Sequence, residues 1–238
     1  MQTKHALAVI PARGGSKRLP RKNAKLLGEK PLVAHAIESA IYSECFDKII
    51  LSSDDDEILQ IGSGYPDVTP ERRSDKMSGD HVKALDLILQ IAERDSYDEK
   101  FDVIALLLPT CPFRQPSDVR DGLGLLTEDV DAVVSVVEFE FPHNLYINVD
   151  AESAMMNPSE GLRTGNTRSQ DHGPTYHPNG AFYMSWWKPF LTNRNWFVGK
   201  VRAYPMPRLR SVDIDTEQDM AYAQFLLDSK AIELENVS

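Results

Sequence analysis

A chain of 238 residues, 42% hydrophobic and 26% charged, has the balance of one large α/β domain with its own core and holds no apolar run long enough to span a bilayer. Its formal charge of -10 excludes a general nucleic-acid binder, because such proteins neutralise phosphates with a surplus of cations. The two cysteines, Cys45 and Cys111, lie in unrelated segments without metal-ligand spacing, so structural zinc is not expected and a reducing cytoplasm is the simplest setting.

The N-terminus, Met1-Gln-Thr-Lys-His5, lacks a signal-peptide layout and runs into an apolar stretch, 6–10, that predicts a buried strand. Residues 11–23 follow as a loop with Gly14, Gly15 and Pro20, the cations Arg13, Lys17, Arg18, Arg21 and Lys22, and no acid. Exposed backbone N–H groups and cations after a strand suit a polyphosphate; the plainer alternative is a solvated basic loop. Residues 32–41 read as a helix and 48–52 as a second strand. This β–loop–α–β order predicts parallel strands. Ser53-Asp-Asp-Asp56 offers either a cap for a short helix at 57–61, with Asp54 or a neighbour as the cap, or a rival cation site. Residues 62–68 are turn-rich and end in a short strand.

Apolar residues at Val82, Leu85, Ile88, Leu89 and Ala92 predict a helix over 81–94, with Ser78 and Asp80 as candidate caps. Residues 101–108 form the most hydrophobic strand candidate and the natural centre of a sheet. They enter Pro109-Thr-Cys-Pro-Phe-Arg114, a loop stiffened by two prolines. A helix is predicted from Pro116 to near Glu128, and strands at 132–137 and 145–149. Residues 150–178 have little periodicity, and a polar excursion of that length inside a compact domain is usually functional, swapped or disordered. Strands return at 180–184 and 200–204, and a last helix begins near Thr216. His172 and His177 have no partner at metal spacing, and Trp186-Trp187 reads as packing. The alternation predicts a layered α/β fold with a mostly parallel sheet, whose ligands sit beyond the carboxyl ends of the strands. The loops at 11–23, 53–56, 109–116 and 206–215 are therefore expected to converge.

Gly14-Gly-Ser-Lys17 has the wrong spacing for a G-x-x-x-x-G-K-[ST] loop and does not match G-x-G-x-x-G, which disfavours a P-loop ATPase and a dinucleotide dehydrogenase. Asp213-Ile-Asp215 supplies two carboxylates at i, i+2, which face one way in extended chain and can hold Mg²⁺ together with substrate phosphates. The alternative for this pair is an ordinary acidic helix start.

Ile10-Pro-Ala-Arg-Gly-Gly-Ser-Lys17 followed by Pro20-Arg-Lys-Asn23 resembles the signature of the acylneuraminate cytidylyltransferases. Four later segments resemble that family in order and spacing: Arg73-Ser-Asp-Lys-Met-Ser-Gly-Asp80, Leu108-Pro-Thr-Cys-Pro-Phe-Arg114, Asn179-Gly-Ala-Phe-Tyr183 and Val212-Asp-Ile-Asp215. The resemblance implies a single Rossmann-like nucleotidyltransferase domain over 1–238, acting as a cytoplasmic homodimer through an extension inserted at about 140–178. It implies transfer of CMP from CTP to the anomeric hydroxyl of an acidic 2-keto sugar, with Mg²⁺ as cofactor and neither nucleic acid nor membrane as partner.

The roles it implies are these. Ala12, Arg13, Gly14, Gly15, Ser16, Lys17, Lys22 and Asn23 would hold the triphosphate, and Arg73 and Asp80 would line the nucleoside side. Leu108, Thr110, Arg114, Asn179 and Tyr183 would meet the sugar, joined by Arg163 and Arg168 across the dimer. Asp213 and Asp215 would hold the metal, and Arg13, Lys17 and Asp215 would act in catalysis. The family commonly has Gln where this chain has Leu108. Leucine cannot make the same hydrogen bonds, so the acceptor implied is a sialic acid or a related nonulosonic acid other than plain N-acetylneuraminate, and the same chemistry on a legionaminic, pseudaminic or KDO-type acid is the nearest alternative. A non-catalytic nucleotide-binding protein on the same fold is the alternative from another class.

Overall fold

The computed structural model describes residues 4–79, 82–165, 167–168 and 171–235. The chain begins with β1 (Ala6–Pro11), crosses the basic loop, and makes a two-residue ladder from β2 (Leu26–Leu27) and β3 (Lys30–Pro31) before α1 (Leu32–Ile41). Next come β4 (Lys48–Ser53), α2 (Asp56–Ser63), β5 (Val68–Arg72), α3 (Asp75–Ser78), α4 (Ala84–Ala92), α5 (Tyr97–Lys100) and β6 (Val103–Leu106). Then follow α6 (Pro116–Gly124), β7 (Ala132–Glu138), β8 (Ile147–Val149), β9 (Met156–Pro158) and α7 (Glu160–Arg163). The chain closes with β10 (Tyr176–Trp186), α8 (Trp187–Asn193), β11 (Val201–Pro205) and α9 (Glu217–Asp228).

Seven strands form one sheet in the order β11-β7-β10-β6-β1-β4-β5, with β6 in the middle. The pairs β1–β4, β1–β6, β4–β5 and β7–β11 are parallel, and only β10 runs against its neighbours β6 and β7. The two-residue period of β1 divides its side chains between two cores. Ala6, Ala8 and Ile10 join the cluster that includes α1 and α2 residues, while Leu7 and Val9 join the cluster that includes α4 and α8 residues. Both faces of the sheet are thus covered, as a mainly parallel sheet requires. A third cluster packs α9 residues against Leu19, Leu27, Leu32 and Phe113, so the basic loop is pinned by one of its own apolar side chains.

Local chemistry sets the helix starts. Asp55, the neighbour of Asp54, caps α2 by accepting from the amides of Glu57 (2.9 Å) and Ile58 (3.2 Å). The fourth helix starts at Ala84, three residues later than the periodicity predicts, with the Lys83 amide donating to Asp86 at 2.9 Å. The candidate cap Asp80 lies outside the described residues. Pro116 opens α6, and the Asp118 carboxylate accepts from the Gln115 amide at 2.8 Å. This helix ends at Gly124 rather than near Glu128, because Leu125–Val130 turn back through the Thr127 to Leu125 and Val130 to Thr127 backbone bonds. On its inner face Gly122 lies so close to Phe182 that a Cβ there would be 2.4 Å from the ring.

The polar excursion is an arm. A β8–β9 hairpin pairs Ile147 with Pro158 and Val149 with Met156. Ile147, Val149, Met155 and Met156 are all exposed on it.

Candidate active site

The segments that follow the carboxyl ends of β1, β5 and β6 meet Asp215 of the 206–215 segment at a cavity of about 500 Å³. Arg13, Ser16, Lys17, Arg18, Lys22 and Asn23 form one wall. Arg73, Val82, Lys83 and Ala84 add a second stretch of lining, and Leu108, Pro109, Thr110 and Asp215 complete it. Six cations therefore face one carboxylate, in a protein whose overall charge is -10. Three of the four loops expected to converge contribute to this site directly. The 53–56 loop supports it from behind, where Asp54 accepts the Gly14 amide at 2.8 Å.

The basic loop is held by its backbone. The Ala12 amide donates to the Ser52 carbonyl at 2.9 Å, and the Asn23 amide group donates to the Arg13 carbonyl at 2.9 Å. Gly14 is a close-approach glycine, since a Cβ there would be 2.7 Å from the Asp55 Cβ, whereas a Cβ on Gly15 would meet nothing within 4 Å. Arg21 takes a left-handed conformation (φ 55°) that turns the chain into Lys22.

Lys22 is 8% exposed and donates to the Ile214 carbonyl (2.7 Å) and to Asp215 (2.8 Å). Arg18 reaches the other Asp215 oxygen at 2.7 Å. Asp215 is anchored in turn, because Asp219 accepts its amide at 3.0 Å within the Thr216–Asp219 capping box of α9. Arg73 donates to the Ser52 hydroxyl and carbonyl at 3.2 and 3.0 Å. Desolvation lowers its pKa first, Asp54 raises it, and Arg13 lowers it further. Asp213 stands beside the Thr110 hydroxyl, and its carboxyl is pushed up chiefly by desolvation, with Asp215 adding to the rise and Thr110 and Lys22 opposing it. The residue is exposed by surface area, yet the walls around its carboxylate displace enough bulk water to favour the proton.

Several expected contacts move. Ala12 is fully buried with its amide engaged, so it shapes the loop and does not face the cavity. Arg114 is 3% exposed and bonds Ser39 (3.0 Å), the Leu108 carbonyl (3.3 Å) and the Ala181 carbonyl, so it ties the end of β6 to β10 instead of meeting a sugar. Burial lowers its pKa to about 10. Asn179 is also buried. Its Nδ2 donates to Ser211 at 2.9 Å and its oxygen accepts from Ala181 at 3.1 Å, so it fastens the 206–215 segment. Tyr183 packs on Trp196 and Phe197 and is absent from the cavity wall. Arg163 binds the Pro158 carbonyl and Asn157 within the arm, and Arg168 is exposed, so neither reaches the cavity of its own chain. Conversely, Lys83, Val82 and Ala84 line the cavity without having been singled out as site residues. Their one sequence signal is Val82 as the first apolar position of the helix predicted over 81–94, which does not reveal that 82 and 83 precede the helix and line a cavity.

Residues 7–66 match the profile of the cytidylyltransferase family. Over 227 residues the chain is 31% identical to the CMP-N,N'-diacetyllegionaminic acid synthase of Legionella pneumophila, covering 93% of this chain and 96% of that protein. It is 33% identical over 224 residues to a pseudaminic acid cytidylyltransferase of Campylobacter jejuni, covering 92% and 95%. An N-acylneuraminate cytidylyltransferase of Streptococcus agalactiae is 31% identical over 221 residues, which are 91% of this chain and 52% of that one. The fold is that of a CMP-2-keto-3-deoxy-manno-octonic acid synthetase complexed with CTP (TM-score 0.65, 18% identity, 95% and 99% covered). It is also that of the 4-diphosphocytidyl-2C-methyl-D-erythritol synthase of Anaerococcus prevotii (TM-score 0.68, 13% identity, 95% and 100% covered). With its motif loops gathered at the carboxyl edge of such a sheet, and with this identity along nine-tenths of its length, the chain belongs to the acylneuraminate cytidylyltransferase family.

Proposed function

We propose that the protein joins CMP from CTP to the anomeric hydroxyl of an acidic 2-keto sugar of the legionaminic or pseudaminic type and releases pyrophosphate. The observation that carries this reading is the cavity with six cations, one carboxylate and Leu108 in its wall. The sugar oxygen forms a bond to the α-phosphorus while the bond from that phosphorus to the bridging oxygen of the leaving pyrophosphate breaks. Such a transfer asks the protein for positioning and charge neutralisation more than for covalent chemistry.

Arg13 and Lys17 face the cavity where phosphates would lie, and the Gly14-Gly15 backbone permits close approach. Arg73 lines the same cavity and serves the nucleoside side in this reading. Asp213 and Asp215 are hard oxygen donors on one segment, and two carboxylates completed by phosphate oxygens and water match what Mg²⁺ accepts. Bound there, the ion would neutralise phosphate charge and acidify a coordinated hydroxyl. Arg18 and Lys22 pair with Asp215, so a cation held by this carboxylate would compete with those ion pairs. Leu108 gives the acceptor end an apolar wall in place of the amide common in the family, which favours an acceptor presenting a deoxy or acyl methyl group there. Through the exposed apolar arm the protein pairs as a homodimer, and Arg163 and Arg168 then serve the partner's site.

The test is Mg²⁺-dependent pyrophosphate release from CTP across legionaminic, pseudaminic, N-acetylneuraminic and KDO acids. Release is expected with one of the first two and weakly with N-acetylneuraminate. Release with none of the four overturns the reading and favours a nucleotide-binding protein without catalysis.

A further inference from the structure

One buried carboxylate lies outside the cavity and is still joined to it. Asp118, on the first turn of α6, is 1% exposed, and three donors converge on it. These are the Gln115 amide (2.8 Å), the Tyr204 hydroxyl (3.1 Å) and the Arg210 guanidinium. A helix cap needs only the first of these and works at a solvated position. Full burial of a charge is tolerated only with a paired, hydrogen-bonded partner, and here the partner comes from the segment that carries the acids.

Arg210 ends a single helical turn, Arg208–Arg210, and the Cys111 thiol donates to its carbonyl at 3.6 Å. Four residues on, the Ile214 amide donates to the Thr110 carbonyl at 2.8 Å. Asp213 therefore sits on a short span between two anchors, and Asp215 stands one residue beyond the second.

We propose that Asp118 is a positioning residue for the acidic segment: through Arg210 it sets the path of residues 211–215 and thereby the placement of the Asp213 and Asp215 carboxylates. This rests on the reading that those two acids hold a divalent cation with CTP. The loop that would take the phosphates has anchors of its own, through Ser52, Asp54 and Asn23, besides the contacts that Arg18 and Lys22 make with residues 214–215. Loss of the Asp118–Arg210 pair should then leave metal-free nucleotide binding intact and weaken the metal's contribution.

Calorimetric titration of CTP into the full chain, with and without Mg²⁺, tests this without an acceptor. Asp118→Asn keeps one oxygen acceptor, which serves the Gln115 amide, places an amide donor opposite the Tyr204 hydroxyl, whose oxygen can accept from it, and removes the charge opposite Arg210. The expected result is metal-free CTP affinity within about twofold of the parent, with the tightening by Mg²⁺ reduced about tenfold, the usual scale for losing a partner that orients metal ligands. Arg210→Gln should give the same loss, and the double variant should lose no more than the worse single, since both act through one contact. If Asp118→Asn does not fold, Arg210→Gln carries the test, being more exposed.

Asp215→Asn is the control for the underlying reading. Where it removes the Mg²⁺ effect but Asp118→Asn and Arg210→Gln leave it unchanged, the positioning role is overturned and the metal site stands. Where Asp215→Asn also leaves it unchanged, both are overturned. Equal losses of metal-free and metal-bound affinity in Asp118→Asn, or additive losses in the double variant, would reduce Asp118 to a structural residue and overturn the proposal.

Discussion

Buried charges carry much of the information at the scale of the single residue. Lys22, Arg114 and Asp118 are each less than a tenth exposed, and each is answered by a carboxylate, a carbonyl or an opposite charge, as burial of a charged group demands. Their depth is what sequence could not supply. Arg114 and Asn179 carry donors that look made for a sugar acid, but a side chain's chemistry is the same on a surface and in a core. Only packing shows that Arg114 closes β6 against β10 and that Asn179 holds Ser211. Lys17 and Asp215 were legible because glycines and a second acid stand beside them at informative spacing. Leu108 is the residue at which a change of one side chain speaks to specificity. Its carbonyl accepts from Arg114 whatever the side chain, so Leu108→Gln should keep the backbone in place. The substitution offers an amide to a polar acceptor and removes an apolar wall. We expect the kcat/KM ratio of N-acetylneuraminate over the preferred acid to rise by about tenfold or more, consistent with the cost of mismatched polar contacts in a pocket. Steady-state kinetics with both acids checks it, and an unchanged ratio would place the acceptor away from residue 108.

At the scale of elements, strands and their order were largely readable. Apolar runs of four to eight residues between turn signals identify buried strands, and helices between them dictate parallel pairing. Helix ends were less readable, because side-chain bonds decide them: the Asp86 contact delays α4 and the Thr127 turn shortens α6. Of the arm's hairpin, the first strand was read at 145–149, whereas β9 fell in the stretch without periodicity, since a three-residue strand leaves little pattern. Its hairpin presents Val149 and Met156 as a directly paired, exposed apolar couple, with Met155 70% exposed beside them. Contiguous apolar surface on a protrusion is a mark of an interface. Sedimentation should show a dimer for the parent chain and a monomer for Val149→Lys/Met156→Lys, with an unaltered circular dichroism spectrum because neither side chain enters a core. A dimeric variant would move the interface elsewhere.

For the whole molecule, the sheet separates two tasks. Its two faces bury the cores, and its carboxyl edge gathers six cavity-lining cations that the chain's overall charge conceals. A concentrated positive cleft in a negative protein attracts a polyanion over a distance set by the salt, about 8 Å at physiological ionic strength. Metal-free CTP binding should therefore weaken severalfold between low salt and about 0.5 M salt, and Lys17→Ala should show a shallower dependence along with a loss of turnover of about a hundredfold. Salt-independent binding measured by calorimetry would contradict a phosphate-lined cleft. No helix among the described residues is long and apolar enough to cross a membrane.

The closeness of Gly122 to Phe182 has a consequence for how variation in this protein should be read. The helix that bears Asp118 rests on the sheet at a depth set by a missing side chain, and even a methyl group there would have to displace an aromatic ring. Overpacking of that kind costs about 1–3 kcal/mol. Position 122 touches no reacting atom, yet it would tolerate almost no exchange. Among natural variants of this chain, invariance at 122 would record a spacing requirement, and mapping sequence constancy alone would draw the active site one helix too wide.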